Sequence, residues 1–224
     1  VADRGRVRWG RCDDRGLRAA GAECGTVRVP RSYRKPRGKK ISIAVSRVRH
    51  TSSAADYRGV MLVNPGGPGG EGLDHATLGE YLPRDVAGRY DWVGFDPRGV
   101  GASRPAVRCD RTYFGYDRPD YLTRTKKKER VWRKRTRAYA RACGRKYPAL
   151  LRNMTTLDVA RDMNRIRKAL GAERISFYGF SYGTYLGQVY ATRFPRRVDR
   201  MVLDSTVDPD RVWYRANLDQ NRVF

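Results

Sequence analysis

The sequence predicts an α/β protein with a mostly parallel sheet and helices on both faces. Short, continuously apolar segments recur along the chain and are typical of strands buried on both sides. Segments with helical spacing of apolar residues separate them. The chain has 224 residues, of which 40% are hydrophobic, so it can bury a core, which excludes disorder throughout. No run of about 18 apolar residues occurs, so no membrane-spanning segment is expected.

The N-terminal part is predicted to lead from an arm into a hairpin. Residues 1–22 are rich in Arg and Gly without a sustained period, and we expect an N-terminal arm there. Residues 23–224 are predicted to form a single, partial α/β domain. Its first strands are 25–30 and 41–48, in which apolar and polar residues largely alternate. Residues 31–40 contain Pro and Gly and are predicted to be the hairpin loop.

Four further strands and two helices follow. The strands are short apolar segments at 60–64, 91–95, 175–178 and 201–203. One helix is predicted over 155–170, with a threonine at its N-terminus and Gly171 after its C-terminus. Another is predicted over 184–194, where Pro195 ends it.

A basic excursion is predicted over residues 104–154. Within it, residues 124–146 carry Lys and Arg almost all round a predicted helix, with Glu129 as the only acid. Two hypotheses fit this pattern: a surface that binds polyanions or nucleic acid, and a solvated helix tied to the body through Cys143. No nucleic-acid-binding motif lies beside it, which favours the solvated helix.

The four cysteines are Cys12, Cys24, Cys109 and Cys143. No CxxC pair is present, which argues against a zinc site and a thioredoxin-type redox site. The spacing favours two disulfides, Cys12–Cys24 and Cys109–Cys143, although four cysteines allow three pairings and four reduced, buried thiols are the alternative. Disulfides would place the protein outside the cytosol. The chain starts at Val1 without a basic-then-apolar leader, so we expect that any export signal has been removed or is not included in this sequence.

The residues Gly179, Phe180, Ser181, Tyr182 and Gly183 fit the motif G-x-S-x-G between a predicted strand and a predicted helix. This context is typical of a sharp turn that presents a serine nucleophile above the sheet. The flanking glycines lack the bulk that such a turn excludes, and the helix dipole favours negative charge at Ser181. The backbone N–H of Tyr182 is predicted to bind an oxyanion.

A loop with almost no side chains follows the strand at 60–64 and has the sequence Asn-Pro-Gly-Gly-Pro-Gly-Gly over 64–70. Backbone N–H groups of such a loop can approach a substrate closely. Gly67 is the predicted second oxyanion donor, with Gly66 as the alternative. Phosphate binding is disfavoured because the Walker spacing and its lysine are absent. After the next strand, Asp96 and Arg98 are predicted to pair and to brace the turn beneath the site.

Six segments resemble the secreted α/β-hydrolases related to tripeptidyl and prolyl aminopeptidases. They occur in the family's order from about residue 24 to 209: CGTVRVP (24–30), NPGGPGG (64–70), GFDPRGVGAS (94–103), TLDVARD (156–162), YGFSYGT (178–184) and VLDSTVDP (202–209). The resemblance implies the α/β-hydrolase fold, Ser181 as nucleophile, an acyl-enzyme intermediate and the release of residues from free peptide N-termini. It also implies export and the two disulfides. We expect no cofactor. Glu71 departs from the pattern, because a small residue such as serine is expected; it could crowd the loop or attract an amine.

A serine hydrolase also needs a general base and an acid that orients it. In this fold both follow the nucleophile, yet no histidine follows Ser181. His50 is expected at the surface, and His75 lies on the wrong element for a base. Asp204 ends the last predicted strand, after which some hydrolases of this fold place the acid, but the resemblance implies that Asp204 belongs to a structural turn.

We therefore expect a fragment that lacks the lid and the last strands, and that is inactive without the acid and histidine from a missing segment or a second chain. The last predicted strand would then be an exposed sheet edge. The predicted function is an exported serine aminopeptidase acting on peptides with a free N-terminus. The alternatives are an esterase or acylase of the same fold, and a catalytically dead module that binds polyanions through residues 124–146. The formal charge of +25 fits the last alternative without deciding it.

Overall fold

The protein is described by a computed structural model that covers residues 6–211 together with residues 215 and 218. Seven strands form one sheet: β1 (Gly10–Arg11), β2 (Glu23–Pro30), β3 (Lys40–Val48), β4 (Val60–Asn64), β5 (Asp91–Phe95), β6 (Ile175–Phe180) and β7 (Val198–Asp204). The six helices of the described residues are α1 (Arg15–Ala19), α2 (Arg84–Ala87), α3 (Lys126–Lys146), α4 (Pro148–Leu151), α5 (Thr156–Ala169) and α6 (Tyr182–Arg193). Two 3-10 helices, Leu73–Tyr81 and Pro195–Arg197, complete the secondary structure.

The sheet is mixed and mostly parallel, as the sequence predicted. Its strand order is β1-β2-β3-β5-β4-β6-β7. β2, β4, β5, β6 and β7 run in one direction, and β1 and β3 run in the other. The carboxyl ends of β4, β5 and β6 therefore meet at one edge of the sheet, where active sites of open α/β folds lie. β7 is the outermost strand beyond β6, and Val202 on it is exposed.

Alternation along the strands gives the sheet two apolar faces. Leu62 of β4 packs in a large core with residues of α5 and α6 such as Met163 and Leu186. Its neighbours Met61 and Val63 pack in a second cluster, which the 3-10 helix Leu73–Tyr81 and α2 partly cover. Because each face is covered, the central strands are apolar along their whole length, which is the pattern the sequence shows.

The two long helices next to the sheet begin and end close to where the sequence predicts. Thr155 and Asp158 form a capping box at the start of α5, in which each side chain accepts a hydrogen bond from the backbone of the other residue. Gly171, after the end of α5, has a φ of 73°, a left-handed conformation that glycine adopts without strain. α6 starts directly after Ser181 and ends before Pro195.

Within the predicted N-terminal arm, residues 6–22 contain two short elements. β1 pairs with β2, and α1 starts at the N-cap Asp14, whose side chain accepts a hydrogen bond from the Leu17 N–H. Leu17 is buried together with Cys12 in a small apolar cluster of its own. These elements are two and five residues long, too short to show a period, and tertiary contacts rather than local pattern hold them.

The basic segment forms α3, a 21-residue helix in which eleven residues are Lys or Arg and none is buried. The helix is solvated and tied to the body through Cys143, and polyanion binding by it stays a prediction. The two predicted disulfides are confirmed as well: Cys109–Cys143 ties α3 to the segment that follows β5, and Cys12–Cys24 ties the N-terminal segment to β2. Among the helices of the described residues, none combines the length and apolar character needed to cross a bilayer.

Candidate active site

The sharp turn between β6 and α6 places Ser181 at the carboxyl edge of the sheet. Ser181 has φ 51° and ψ −122°, a left-handed backbone that is rare for residues other than glycine. Strain of this kind persists only where surrounding contacts enforce it, and it is common at active sites. The Ser181 side chain is exposed and lies at the N-terminus of the 12-residue helix α6.

The two glycines of the motif are required by close packing. A Cβ on Gly179 would lie 2.5 Å from the Gly183 carbonyl oxygen, and a Cβ on Gly183 would lie 2.6 Å from the Asn64 carbonyl oxygen. Both distances are shorter than heavy atoms tolerate, so no side chain fits at either position. The turn is therefore packed against its own helix and against the end of β4.

Hydrogen bonds fix the backbone on both sides of Ser181. Its N–H donates to the Asp204 carbonyl oxygen at 2.9 Å, and its carbonyl oxygen accepts from the Thr184 hydroxyl at 2.7 Å. The fully buried Thr184 hydroxyl also accepts from the Val207 N–H at 2.8 Å. Sequence reasoning missed Thr184, although a small hydroxyl residue in the first turn of a helix is a recognisable signal for such bonding.

The glycine-rich loop 64–70 lies directly beside this turn. Asn64 is paired with Gly179 in the register of β4 and β6, so the loop starts level with the motif. A Cβ on Gly66 would lie 2.4 Å from the Phe180 carbonyl oxygen and 3.0 Å from the Tyr182 nitrogen. Gly66, at φ 90°, therefore brings the loop into contact with the backbone on both sides of Ser181.

The two candidate oxyanion donors of this loop differ in their hydrogen bonding. The Gly66 N–H donates to the buried Asn64 Oδ1 at 3.1 Å, so it is already engaged. Within the described part of the chain, the Gly67 N–H has no acceptor. This difference favours Gly67 over Gly66 as the donor, and its role stays a prediction.

A cavity of about 290 Å³ adjoins the loop and the first turn of α6. Tyr182 lines it, and its hydroxyl is hydrogen-bonded to the Thr156 hydroxyl at 2.7 Å. Burial raises the pKa of Tyr182, so this side chain stays protonated at neutral pH. Most other lining residues are apolar: Pro68, Pro97, Val100, Met154, Val159 and Leu186. The cavity can accept an apolar side chain beside Tyr182, the residue that follows the candidate nucleophile.

The predicted pair of Asp96 and Arg98 does not form. The Asp96 carboxylate accepts hydrogen bonds from the N–H groups of Gly72 and Ala102, each at 2.7 Å. It therefore joins the end of the glycine-rich loop to the turn after β5. Asp96 braces this turn through backbone N–H groups instead of through Arg98. The side chain of Arg98 points away from Asp96, towards α5.

Arg98 instead forms a buried ion pair with Asp162 of α5. Its Nε donates to Oδ2 at 2.7 Å and its Nη2 to Oδ1 at 2.6 Å, and both side chains are almost completely buried. The Tyr33 hydroxyl donates to the same carboxylate at 2.7 Å. Burial opposes the charge of Arg98, but hydrogen bonds and attraction from Asp162 raise its pKa overall. Asp162 lies on the apolar face of α5 beside Met163, and a charge at such a position signals a buried partner.

Glu71 extends from the loop over the turn after β5. A Cβ on Gly101 would lie 3.1 Å from the Glu71 Cγ, which places this side chain next to Asp96. Glu71 is exposed, and among the described residues no cation or hydrogen-bond donor pairs with its carboxylate. It is therefore an unpaired negative charge beside the candidate site of a strongly basic protein.

Neither histidine is hydrogen-bonded to Ser181 in the described residues. His50 follows β3 at the opposite edge of the sheet, where its N–H donates to Asp91 at the start of β5. His75 Nδ1 is 2.7 Å from Asp74 Oδ1, and its ring lies edge-on to Phe180 with centroids 6.2 Å apart.

Asp204 contributes its backbone to the turn and its side chain to the packing around it. Its Oδ2 accepts from the Tyr178 hydroxyl at 3.2 Å. Burial, followed by this hydrogen bond, raises the pKa of Tyr178. Across residues 6–211, no group of three or more His, Cys, Asp or Glu side chains could hold a metal ion.

Residues 59–224 match the model of the family described as alpha/beta hydrolase fold. The chain belongs to the α/β-hydrolase family. The strained serine at the strand-to-helix turn, the parallel strands beneath it and the adjacent glycine-rich loop are the parts that this family uses for nucleophilic catalysis.

Curated relatives are similar over most of this hydrolase chain. It is 44% identical over 208 residues to a tripeptidyl aminopeptidase of Streptomyces coelicolor, which covers 90% of this chain and 38% of the relative. It is 37% identical over 214 residues to serine protease Hip1 of Mycobacterium tuberculosis, with 91% and 39% covered. Carboxylesterase B of M. tuberculosis is 41% identical over 199 residues, with 84% and 36% covered. The chain thus spans less than two fifths of the length of these relatives.

Proposed function

We propose that this hydrolase is a serine aminopeptidase in which Ser181 is the nucleophile. The observation that carries the proposal is the left-handed, exposed Ser181 held against a glycine-rich loop in which, among the described residues, the Gly67 N–H has no acceptor. The similarity to proteins named tripeptidyl aminopeptidase and serine protease supports a peptide as the substrate.

In the proposed reaction, Ser181 Oγ attacks the carbonyl carbon of the scissile peptide bond while a general base takes its proton. The negative charge moves to the carbonyl oxygen, where the N–H groups of Gly67 and Tyr182 and the N-terminus of α6 stabilise it. Collapse of this intermediate breaks the C–N bond, and the base returns the proton to the leaving amine. Water then attacks the acyl-enzyme and releases the N-terminal product with regeneration of the Ser181 hydroxyl.

We place the general base and its acid outside the 224 residues, in a further segment or a second chain. Support comes from the absence, among the described residues, of a hydrogen bond between a histidine and Ser181. The relatives are more than twice as long as the part that this chain matches, which is consistent with that placement. On its own the chain would then react slowly at Ser181.

Glu71 gives the proposed site a means of recognising a free N-terminus. A peptide ammonium group would be attracted to its unpaired carboxylate, and the apolar cavity beside Tyr182 would hold a neighbouring side chain. We further propose that the protein is exported, because its two disulfides are typical of oxidising compartments.

Labelling with a fluorophosphonate tests the nucleophile. We expect the probe to modify the Ser181 peptide, identified by mass spectrometry, and Ser181→Ala to abolish the label. Ser205→Ala is the matched control, because Ser205 is also exposed and also has a positive φ, of 59°, at the end of β7. Labelling that survives in Ser181→Ala would remove the basis of the proposal.

An esterase is the second candidate, favoured by the similarity to carboxylesterase B. In the presence of the segment or chain that supplies the base, turnover of tripeptidyl nitroanilides with a free amine, of the same compounds with an acetylated amine, and of short nitrophenyl esters separates the two. A peptidase that uses Glu71 prefers the free amine, and Glu71→Gln raises KM for that substrate alone. Preference for the esters, with no effect of Glu71→Gln, would assign the site to an esterase.

A further inference from the structure

A second concave site lies on the side of the sheet at β2, on a different strand from Ser181. It is a cavity of about 720 Å³, and we call it the edge pocket. Five of the seven residues that line it are basic. The lining residues are Arg6, Arg8, Thr26, Val27, Arg28, Lys40 and Arg165. Neither the proposed reaction nor the resemblance to hydrolases uses any of these side chains.

The basic side chains of the edge pocket come from four separate parts of the chain. Arg28 is on β2, Lys40 starts β3 and Arg165 is on α5. Arg6 and Arg8 come from the segment before β1. The strand β1 itself pairs with β2 only at residues 23 and 24. This segment is seated closely on β2, since a Cβ on Gly25 would lie 2.5 Å from Val7 Cγ1 and 2.8 Å from the Arg8 carbonyl oxygen. The fold therefore assembles the cluster from distant residues.

Among the described residues, no carboxylate balances the charge of the edge pocket. No Asp or Glu lines it, and within the described chain none of its five basic side chains has a carboxylate within 4.0 Å. Arg47, on the neighbouring strand β3, shows the contrast, because it pairs with Glu23 at 2.7 Å. Like charges held together without counter-charges repel each other, and a bound anion would relieve this repulsion.

We infer that the edge pocket binds a compact anion that carries several phosphate groups. Arginine guanidinium groups suit phosphate because they donate two parallel hydrogen bonds. A concave site surrounded by cations suits a short oligophosphate better than an extended polymer. No aromatic ring lines the pocket to stack on a nucleic-acid base. Val27 is the only apolar side chain in its lining, so the pocket offers too little apolar surface to bind a lipid tail.

Calorimetric titration with inorganic tripolyphosphate at about 150 mM salt tests the inference, because exposed charges more than about 8 Å apart are screened there. The test variant is Arg28→Gln/Arg165→Gln. The matched control is Arg137→Gln/Arg141→Gln, which removes the same charge from exposed arginines of α3. We expect one anion per chain, with affinity at least about tenfold weaker in the test variant, since two charge-assisted bonds are lost. The control variant should bind within about twofold of the parent chain.

Thermal unfolding separates lost binding from lost folding. Without anion, the test variant should melt at or above the temperature of the parent chain, because repulsion is reduced. Tripolyphosphate should raise the melting temperature of the parent chain and the control, but not of the test variant. Equal binding by parent and test variant would overturn the inference. An equal loss of binding in both variants would also overturn it, because it would indicate attraction to net charge. A loss of binding confined to the control would overturn it as well and would assign the polyanion site to α3.

Discussion

At the scale of single residues, the site depends on how closely two backbone segments approach each other. Gly66 has φ 90° and leaves no space for a Cβ, because the Phe180 oxygen and the Tyr182 nitrogen occupy that space. Gly69, three residues later, has a similar φ of 97°, yet nothing lies within 4 Å of where its Cβ would be. Comparing substitutions at Gly66 and Gly69 therefore separates the free-energy cost of backbone strain from the cost of a steric clash.

We expect Gly66→Ala to damage the protein more than Gly69→Ala. Both substitutions strain the backbone, but only the first pushes the loop away from Ser181. Overpacking of this kind costs about 1–3 kcal/mol in unfolding free energy. Loss of an oxyanion donor lowers the rate of reaction by about 100-fold. Urea unfolding and the rate of fluorophosphonate labelling measure the two effects, and equal losses in both variants would contradict the proposed geometry.

The residues of the motif could be predicted from the sequence because the turn is local. Ser181, Tyr182 and the two flanking glycines lie within five positions, and their spacing between a predicted strand and a predicted helix indicates the conformation. Asp96 could not be assigned in the same way. Its carboxylate accepts from the Gly72 N–H on another element. Arg98, two positions later in the sequence, was the predicted partner, but it pairs elsewhere.

At the scale of secondary-structure elements, the ion pair between Arg98 and Asp162 joins the turn after β5 to α5. Arg98 also donates to the carbonyl oxygens of Arg31 and Pro30, at 3.0 and 3.3 Å, and so reaches the end of β2. One buried guanidinium thus fixes three elements beside the candidate site. The cost of removing its counter-charge should be large, because an unpaired charge would remain buried.

We expect Asp162→Asn to lower the unfolding free energy by about 3–5 kcal/mol, the usual cost of breaking a buried ion pair. The control is Glu129→Gln, which breaks the exposed pair between Glu129 and Arg133 on α3 and should cost less than about 0.5 kcal/mol. Urea unfolding of both variants gives the comparison. Similar small values would mean that the Arg98 charge reaches solvent.

The disulfides act on different elements. Cys109–Cys143 closes a separation of 34 residues and anchors α3, which has no buried residue to hold it. Cys12–Cys24 closes a separation of 12 residues that contains α1, a helix too short to be stable alone, and it ties the residue after β1 to β2.

We expect Cys109→Ser/Cys143→Ser to speed amide hydrogen exchange in α3 while leaving β4 and β6 protected. Cys12→Ser/Cys24→Ser should speed exchange in α1 and leave α3 unchanged, so each variant controls for the other. Exchange followed by mass spectrometry resolves the segments. Faster exchange in β4 and β6 of the first variant would show instead that α3 stabilises the core.

Elements with a marked apolar pattern, either a continuous run or a helical period, were predictable, and those without such a pattern were not. The strands at 60–64 and 91–95 have the predicted bounds, and α5 differs from its prediction by one residue at each end. The 3-10 helix Leu73–Tyr81 was missed, because its position depends on the buried Ala76 and on contacts with β5 rather than on its own pattern.

At the scale of the whole molecule, the proposed reaction requires a proton acceptor that the described residues do not supply to Ser181. If the base lies outside the chain, a small base in solution can replace it. The turn, the loop and the helix dipole would already be in place, so only the proton transfer would be slow.

We therefore expect imidazole to accelerate fluorophosphonate labelling of Ser181 by about tenfold or more, because a general base contributes about 100-fold to 10,000-fold to such reactions. The increase should follow the concentration of neutral imidazole and therefore grow as the pH rises through about 7. His75→Ala should label at the same rate and respond to imidazole equally, while Ser181→Ala should remain unlabelled. If His75→Ala instead loses labelling and imidazole restores it, the base is His75, and the chain carries its own proton acceptor on the 3-10 helix beside the loop.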